Sequence, residues 1–335
     1  MNKDNYKIGI MGLGPVGLTL ACHLKEAGCQ VFICDIDKDK VTLIRNEGVE
    51  LVGTVEKKVF FNHVFTSVEE LLHNKIDILI SSIKVYHVEP ALEHIDENIL
   101  SDMFLLIAQN GIDLKEKYST KFNDSQILRM VINYAGNLNA PNVVNVTFFN
   151  PPNYVASVDD THPEVAEWIS EKLNSVKLDT VSKDSFMIND KVWEKTILNA
   201  ALSPLCAISK LTMREAMAHP DTLEIVEQII LEAIAVAKVE EIKLSENFLK
   251  LCIRYLKNGG DHFPSLAVDL LSKNETEIDY FNGKIVEYGR KHYIRTPLNL
   301  TFTNLVRAIS HKNSQATRKE TKTDNIEDKA EILDL

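Results

Sequence analysis

A doubly wound α/β domain with a parallel sheet, followed by an all-helical domain, is the architecture this sequence predicts. Three observations carry the prediction. The first 35 residues read strand, glycine turn, helix, strand. Further short apolar runs continue that pattern, and from about residue 184 long amphipathic stretches replace them. At 335 residues and 45% hydrophobic content, the chain is also long enough for two packed cores.

Each element follows from its residues. "KIGIM" (7–11) is a short apolar strand and "GLGPVG" (12–17) a glycine turn. "LTLACHLKEAG" (18–28) is an amphipathic helix closed by Gly28, and "CQVFICD" (29–35) is a second apolar strand. Such a βαβ opening, with "IDILISSI" (76–83) and "MFLLIAQN" (103–110) as further apolar runs, marks strands covered on both faces. This domain is expected over 1–183. Beyond it, stretches such as "KVWEKTILNAALSPLCAI" and "DTLEIVEQIILEAIAVAKVEE" carry helical periodicity, and alternating β-branched runs nearly vanish. "NGGD" (258–261) breaks the chain between two helices, while Thr296 and Pro297 supply an N-cap and a first-turn proline for the last. The helical domain is expected over 184–310. Past Ser310 apolar residues are almost absent until the final positions, so 311–335 are expected to form a mobile polar tail with at most a weak terminal helix.

Composition disfavours several classes of function. Lys and Arg total 37 against 48 Asp and Glu, a formal net charge of −11, and no basic block stands out. Phosphate neutralisation along a nucleic acid is therefore disfavoured. No window reaches the apolar length of a membrane span. Lys3 and Lys7 ahead of "IGIMGLGPVGLTLACHL" superficially resemble an export signal, but the spaced glycines and the strand that follows read as folded protein. The five cysteines form no C-x-x-C pair, as expected for reduced, structural thiols in a cytoplasmic protein. No residue is assigned to a metal. The expected partner is a small molecule, and a homodimer through the helical domain is compatible with the sequence.

Gly12, Gly14 and Gly17 stand at G-x-G-x-x-G spacing between the first strand and the first helix, and Asp35 ends the next strand 23 residues after Gly12. The spacing alone recurs by chance, but the context assigns roles. Gly12 permits the tight turn, Gly14 lets the backbone approach a pyrophosphate, and Gly17 allows close helix packing, while the helix N-terminus favours the phosphate charge. Gly12, Leu13, Gly14, Pro15, Val16 and Gly17 are therefore the expected cofactor-binding loop. A carboxylate at Asp35 accepts the adenosine ribose hydroxyls and repels a 2′-phosphate, which favours NAD(H) over NADP(H). The competing reading has Asp35 or Asp37 capping the helix "KDKVTLIRN", with Lys38 and Lys40 able to hold a phosphate after all.

In "EKTILNAALSP" (194–204), Lys195, Asn199 and Ser203 recur every four residues. Each such step turns the side chain only about 40° past a full turn, so the three form one polar stripe on an otherwise apolar helix. Such a stripe can face a ligand. Taken alone, Lys195 reads first as a solvated lysine after Glu194, while for Asn199 a satisfied buried amide stands nearly level with a ligand contact. Pro204 should kink this helix and free the carbonyl of Ala200.

Seven short motifs occur in order: "GLGPVG" (12–17), "SIKVY" (82–86), "QNG" (109–111), "WEKTILNAALSPL" (193–205), "HFPSLAVDL" (262–270), "TEIDYFNG" (276–283) and "TPLN" (296–299). Together, from about residue 7 to 305, they resemble the ketopantoate reductase family (2-dehydropantoate 2-reductases) of pantothenate biosynthesis. The resemblance implies an N-terminal Rossmann-type domain, a C-terminal helical domain and catalysis in the cleft between them. Reducing a ketone by hydride leaves an alkoxide that needs a proton, and an ammonium at the carbonyl oxygen both polarises it and protonates it. Lys195 matches the family's general acid.

Asn199 matches a substrate contact, with Ser203 next on the same stripe. Glu277 matches the substrate-binding carboxylate that holds a hydroxyl or supports the lysine. Ser265 matches the substrate-contact serine, with Asp269 nearby, and Asn110 the asparagine near nicotinamide and substrate. Lys84 is placed for contact with cofactor or substrate charge. Structural readings stand beside these. Glu277 lies three residues after Asn274, which is capping-box spacing for the helix "TEIDYFNGKIVEYG". Ser265 after Pro264 reads equally as a helix cap, and Lys84 as a solvated lysine.

Three positions depart from the family pattern. Ser203 stands where a second asparagine is usual, which enlarges the pocket. An acid stands after the second strand where a basic residue is typical for NADPH. "FFNPPNYVASVDD" (148–160) replaces a glycine-rich hairpin, and its prolines argue against a regular central strand. The implied activity is reduction of a 2-oxo acid, ketopantoate or a close analogue, by hydride transfer from a nicotinamide cofactor. A D-2-hydroxyacid dehydrogenase for bulkier 2-oxo acids is the alternative on the same fold. A non-catalytic NAD-sensing protein is the alternative from another class.

Overall fold

The apolar runs of the N-terminal half become strands of one sheet. The structure, a computed structural model, describes residues 5–331, with side-chain surroundings as far as residue 315. Two units are present, Met1–Val192 and Trp193–Leu335. In the first, the elements run β1 (Lys7–Met11), α1 (Pro15–Glu26), β2 (Gln30–Cys34), α2 (Lys38–Glu47), β3 (Val49–Gly53), β4 (Lys57–Val59), β5 (Val64–Phe65), α3 (Val68–Leu72) and β6 (Ile78–Ser81). They continue with α4 (Val88–Leu92), α5 (Glu97–Leu100), β7 (Phe104–Ile107), β8 (Ile127–Val131), β9 (Tyr134–Ala140), β10 (Val143–Phe149), β11 (Asn153–Ser157), α6 (Pro163–Ser175) and β12 (Thr180–Ser182).

Eight strands form the main sheet in the order β12-β11-β8-β7-β6-β1-β2-β5. β1 pairs in parallel with both β2 and β6, and the parallel run continues through β7 to β8. Ile8, Ile10, Ile33, Ile78, Ile80 and Leu106 from these strands and Leu18, Leu20 and Leu24 from α1 share one core cluster. Burying each such aliphatic side chain contributes roughly 1.5–3 kcal/mol, which holds α1 against the sheet and so sets the loop between β1 and α1. This is the doubly wound α/β domain that the sequence predicts.

Two features of this unit differ from expectation. Pro151 and Pro152 lie in the connection between β10 and β11, so β11 begins after them and stands as an internal strand between β8 and β12. The prolines therefore interrupt no ladder. A second, four-stranded sheet of order β4-β3-β10-β9 is also present. Its strand β9 reads "YAGNLNA", poor in β-branched residues, so the sequence carries little sign of it.

The second unit is helical, with α7 (Ser185–Ser209), α8 (Met213–Ala218), α9 (Pro220–Val239), α10 (Phe248–Lys257), α11 (Ser265–Leu271), α12 (Asn282–Lys291) and α13 (Pro297–Glu331). On α9, Val226, Ile229, Ile230, Ala233, Val236 and Ala237 are buried, an apolar stripe at helical spacing. The division between units falls inside α7, beyond the boundary expected after residue 183. The first turn of α7 belongs to the N-terminal unit, where Ser185 N and Oγ donate to Asp160 at 2.7 and 2.6 Å. The segment expected as a polar tail, 311–335, is helical as far as Glu331. No glycine or proline follows Pro297 to break α13. Residues 332–335 lie outside the described residues.

Candidate active site

The glycine loop closes around β1 by bonds that its neighbours supply. Gly12 has φ +94° and donates its N–H to Cys34 O at 3.0 Å, which hands the chain from β1 over toward β2. Ser82, just past β6, donates to Gly12 O at 2.8 Å. A Cβ on Gly17 would lie 2.0 Å from Gly12 O, so only glycine lets α1 start this close to the strand. At Gly14 the opposite holds, because a Cβ there would meet nothing within 4 Å. Among the described residues, the N–H groups of Gly14, Val16 and Gly17 have no acceptor. An open face lined by donors at a helix N-terminus fits a dinucleotide pyrophosphate. Leu13 is fully buried, Pro15 occupies the first turn of α1, and Val16 O accepts from Tyr134 Oη at 3.1 Å.

Asp35 follows β2 and is tied into this loop. Its Oδ2 accepts from Leu13 N at 2.9 Å and from Lys40 Nζ at 3.1 Å, while Oδ1 accepts from Asp37 N at 3.1 Å. The cap of α2 is Asp37, whose Oδ1 accepts from Asp39 N and Lys40 N. Three acceptor positions of the Asp35 carboxylate are thus in use, and Lys40 balances its charge. The structure separates the two competing aspartate roles: Asp37 caps, and Asp35 buttresses the loop.

Lys84 follows β6 and stands at the N-cap position of a short 3₁₀ turn, Val85–His87. Asn110 follows β7 and is half-buried. The glycine loop, Asp35, Lys84 and Asn110 therefore all succeed the carboxyl ends of adjacent strands, β7, β6, β1 and β2, where open α/β sheets take ligands. Gln109, which precedes Asn110, donates its Nε2 to Ile83 O at 2.9 Å, and its Oε1 is 2.9 Å from the buried Tyr118 hydroxyl.

In the helical unit, α7 carries Lys195, Asn199 and Ser203 as one stripe. Lys195 and Asn199 are half-buried, and Ser203 is buried. No ion pair reaches Lys195 among the described residues; the Tyr255 ring of α10 has its centroid 6.0 Å from Nζ. Desolvation lowers the Lys195 ammonium from 10.5 to about 8. The Ala200 carbonyl freed by Pro204 accepts from Asn282 Nδ2 at 3.0 Å. Asn282 Nδ2 also donates to Asn299 Oδ1, and Asn299 Nδ2 to Glu232 Oε2, at 3.0 and 2.8 Å. Glu232 in turn accepts from Leu298 N and Asn299 N at the start of α13. The asparagines of "TEIDYFNG" and "TPLN" thus lock α7, α9, α12 and α13 together.

Ser265 is exposed at the first residue of α11, after Pro264 at the N-cap, and it makes no capping bond. Asp269 is half-buried on the same helix. Glu277 is buried, but the capping box expected with Asn274 does not form. Asn274 N instead donates to Asp269 O, a 3₁₀ turn occupies Ile278–Tyr280, and α12 begins only at Asn282. Asn282, Tyr255 and Arg129 are site neighbours that the sequence reading does not single out. For Arg129 a signal exists, since it is a lone charge inside the apolar strand "ILRMV". Among the described residues, no cluster of metal-ligating side chains occurs, and no helix is long and apolar enough to cross a membrane.

A parallel sheet with an open glycine loop at its carboxyl edge, joined to an all-helical unit, defines a Rossmann-type nucleotide-binding architecture. Residues 8–159 match the family model of ketopantoate reductase PanE/ApbA, and residues 187–310 match the model of its C-terminal part. The chain belongs to the ketopantoate reductase family of oxidoreductases. The 2-dehydropantoate 2-reductase of Pyrococcus horikoshii is 27% identical over 307 residues, 90% of this chain and 97% of that protein. Its counterpart in Streptococcus pyogenes serotype M1 is 25% identical over 301 residues, 89% of this chain and 96% of the relative. Among solved structures, a ternary complex of D-mandelate dehydrogenase with NADH and anilino(oxo)acetate shares the fold. It has a TM-score of 0.80 at 24% identity and covers 92% of this chain and 99% of that one.

Proposed function

We propose that this protein reduces a 2-oxo acid, ketopantoate or a close analogue, to the 2-hydroxy acid, with Lys195 as general acid. The observation that carries the reading is Lys195 itself. It is an ammonium on a polar helical stripe with no counter-ion among the described residues, and desolvation has brought it to about 8. A lysine so placed is strongly polarising toward a carbonyl oxygen and gives up its proton near neutral pH.

A nicotinamide dinucleotide, held by residues 12–17 and Asp35, supplies the hydride when bound. NAD(H) is favoured by the carboxylate of Asp35, though its pairing with Lys40 weakens the repulsion of a 2′-phosphate. Lys84 and Asn110 serve the cofactor and substrate from the sheet side. Asn199, Ser203, Ser265 and Glu277 orient the substrate through its hydroxyl and carboxylate groups. The short, buried Ser203 favours a second reading, in which bulkier branched or aromatic 2-oxo acids are preferred.

Loss of the dihydronicotinamide absorbance tests both readings, with purified protein, NADH or NADPH, ketopantoate and a panel of bulkier 2-oxo acids. Turnover of ketopantoate supports the first reading. Turnover of the bulkier acids alone supports the second, and no turnover with any of them overturns both.

A further inference from the structure

Arg129 sits on β8, almost fully buried, and no carboxylate pairs with it among the described residues. Among the described residues, its hydrogen bonds all go to main-chain carbonyls at and just after the end of β7. Nη1 donates to Ile107 O at 3.1 Å and to Gln109 O at 2.5 Å, and Nη2 donates to Gly111 O at 3.0 Å. A buried guanidinium without a counter-ion is destabilising, and here desolvation lowers it to about 10. Elsewhere in this loop a neutral donor suffices to bond a carbonyl, where Gln109 Nε2 meets Ile83 O. The charge and the fork geometry therefore call for a use.

The peptide planes show what that use is. In a trans peptide the N–H of a residue points opposite to the carbonyl of the residue before it. With the Gln109 carbonyl drawn toward Arg129, the Asn110 N–H is turned away from it. Among the described residues, neither that N–H nor the Asn110 side chain has a hydrogen-bond partner. Gly111 follows at φ +127°, a conformation that favours glycine and lets the next carbonyl turn back to the same guanidinium. On the other flank, Tyr118 Oη is bonded to Ser81 Oγ at 2.6 Å and to Gln109 Oε1 at 2.9 Å, which keeps the preceding residue from rotating.

We propose that Arg129 is the positioning residue of the Gln109–Gly111 turn: its fork draws two carbonyls inward and so presents the Asn110 amide groups to the nicotinamide end of the bound dinucleotide. This rests on the reading of Asn110 as a cofactor-side residue. Lysine cannot replace the fork, because a single ammonium does not supply the two separate nitrogens from which these carbonyls are bonded.

The test compares NADH with ADP-ribose, which keeps the adenosine and pyrophosphate and lacks nicotinamide. For Arg129→Lys and Arg129→Met, ADP-ribose affinity should stay within about twofold of the unmodified chain, while NADH affinity falls about tenfold and kcat falls with it. Equal loss for both ligands, or no loss for either, would overturn the proposal by reducing Arg129 to a fold-stabilising residue. Since the methionine variant leaves carbonyls unpaired and can fail to fold, hydrogen exchange on the unmodified chain supplies a second measurement. The segment 109–112 should gain protection with NADH that ADP-ribose does not give, and equal protection by the two overturns the role. If the unmodified chain binds neither ligand, the cofactor reading falls, and this proposal with it.

Discussion

The side-chain amide of Asn282 donates to the main-chain carbonyl of Ala200 across 3.0 Å, replacing the helical bond that Pro204 cannot make. Ala200 follows Asn199 and precedes Ser203 by less than a turn, so this bond fixes the middle of the polar stripe on α7. Asn282→Ala leaves a buried carbonyl unpaired and should destabilise the protein by about 2–3 kcal/mol in urea unfolding. In a Pro204→Ala background the backbone N–H of residue 204 can take over, so the same change should be milder by about 1 kcal/mol. Strict additivity of the two substitutions would show that Asn282 and Pro204 are not linked.

Gly14 and Gly17 differ in what a methyl group would meet, and this separates binding from folding. A Cβ at Gly17 would overlap Gly12 O at 2.0 Å, whereas one at Gly14 meets no protein atom within 4 Å. Gly17→Ala should therefore lower stability by about 2 kcal/mol or more. Gly14→Ala should keep the Tm within about 2 °C and weaken NADH binding about tenfold or more, by calorimetric titration. Unchanged NADH affinity in Gly14→Ala would mean that the open face is not where a pyrophosphate lies.

Much of this was legible because it depends on local pattern. "KIGIM", "QVFIC" and "FLLI" are uninterrupted apolar runs, and a buried parallel strand needs nothing more to be recognised. The steric part of the glycine loop was legible for the same reason, since the tight turn at Gly12 and the close packing at Gly17 are fixed by spacing. The four-stranded second sheet was not, since "YAGNLNA" owes its strand to pairing with β10 and not to its own residues. Asn282 and Asn299 were legible only as letters in motifs. Their work is a network among four helices, and long-range pairing leaves no periodic trace in the chain. The prolines at 151–152 misled because a break in a connection and a break in a strand look alike until the register is known.

Asp35 and Lys40 are 3.1 Å apart, and under the proposed function their charges act in opposite directions on cofactor choice. If the Asp35 charge rejects a 2′-phosphate and Lys40 blunts that rejection, their neutral variants must move the preference in opposite directions. Lys40→Gln should raise the ratio of kcat/KM for NADH over NADPH by about threefold to tenfold. Asp35→Asn keeps an acceptor for Leu13 N–H while removing the charge, and should lower the ratio by a similar factor. A shift in the same direction for both would assign the preference to loop geometry and not to charge.

Lys195 offers a prediction in which stability and activity are read on one pH axis. Its folded value of about 8 lies below its ordinary 10.5, so between the two the unfolded chain holds more protons than the folded one. Stability therefore rises with pH across that interval, and the burden of the desolvated ammonium is complete below about 8. Lys195→Met should melt about 2–4 °C higher than the parent at pH 7, with the gap closing as pH approaches 10.5. With Lys195 as the proposed general acid, reduction draws on the same proton, so kcat/KM in the parent should fall as pH rises through about 8. Lys195→Met should lose about 10²–10⁴-fold in rate at pH 7 and show no such limb. Lys195→Arg restores the charge but cannot release its proton, so it should remain slow with a flat profile. A Lys195→Met variant that melts no higher, yet turns over normally, would leave the lysine with neither the strain nor the task assigned to it.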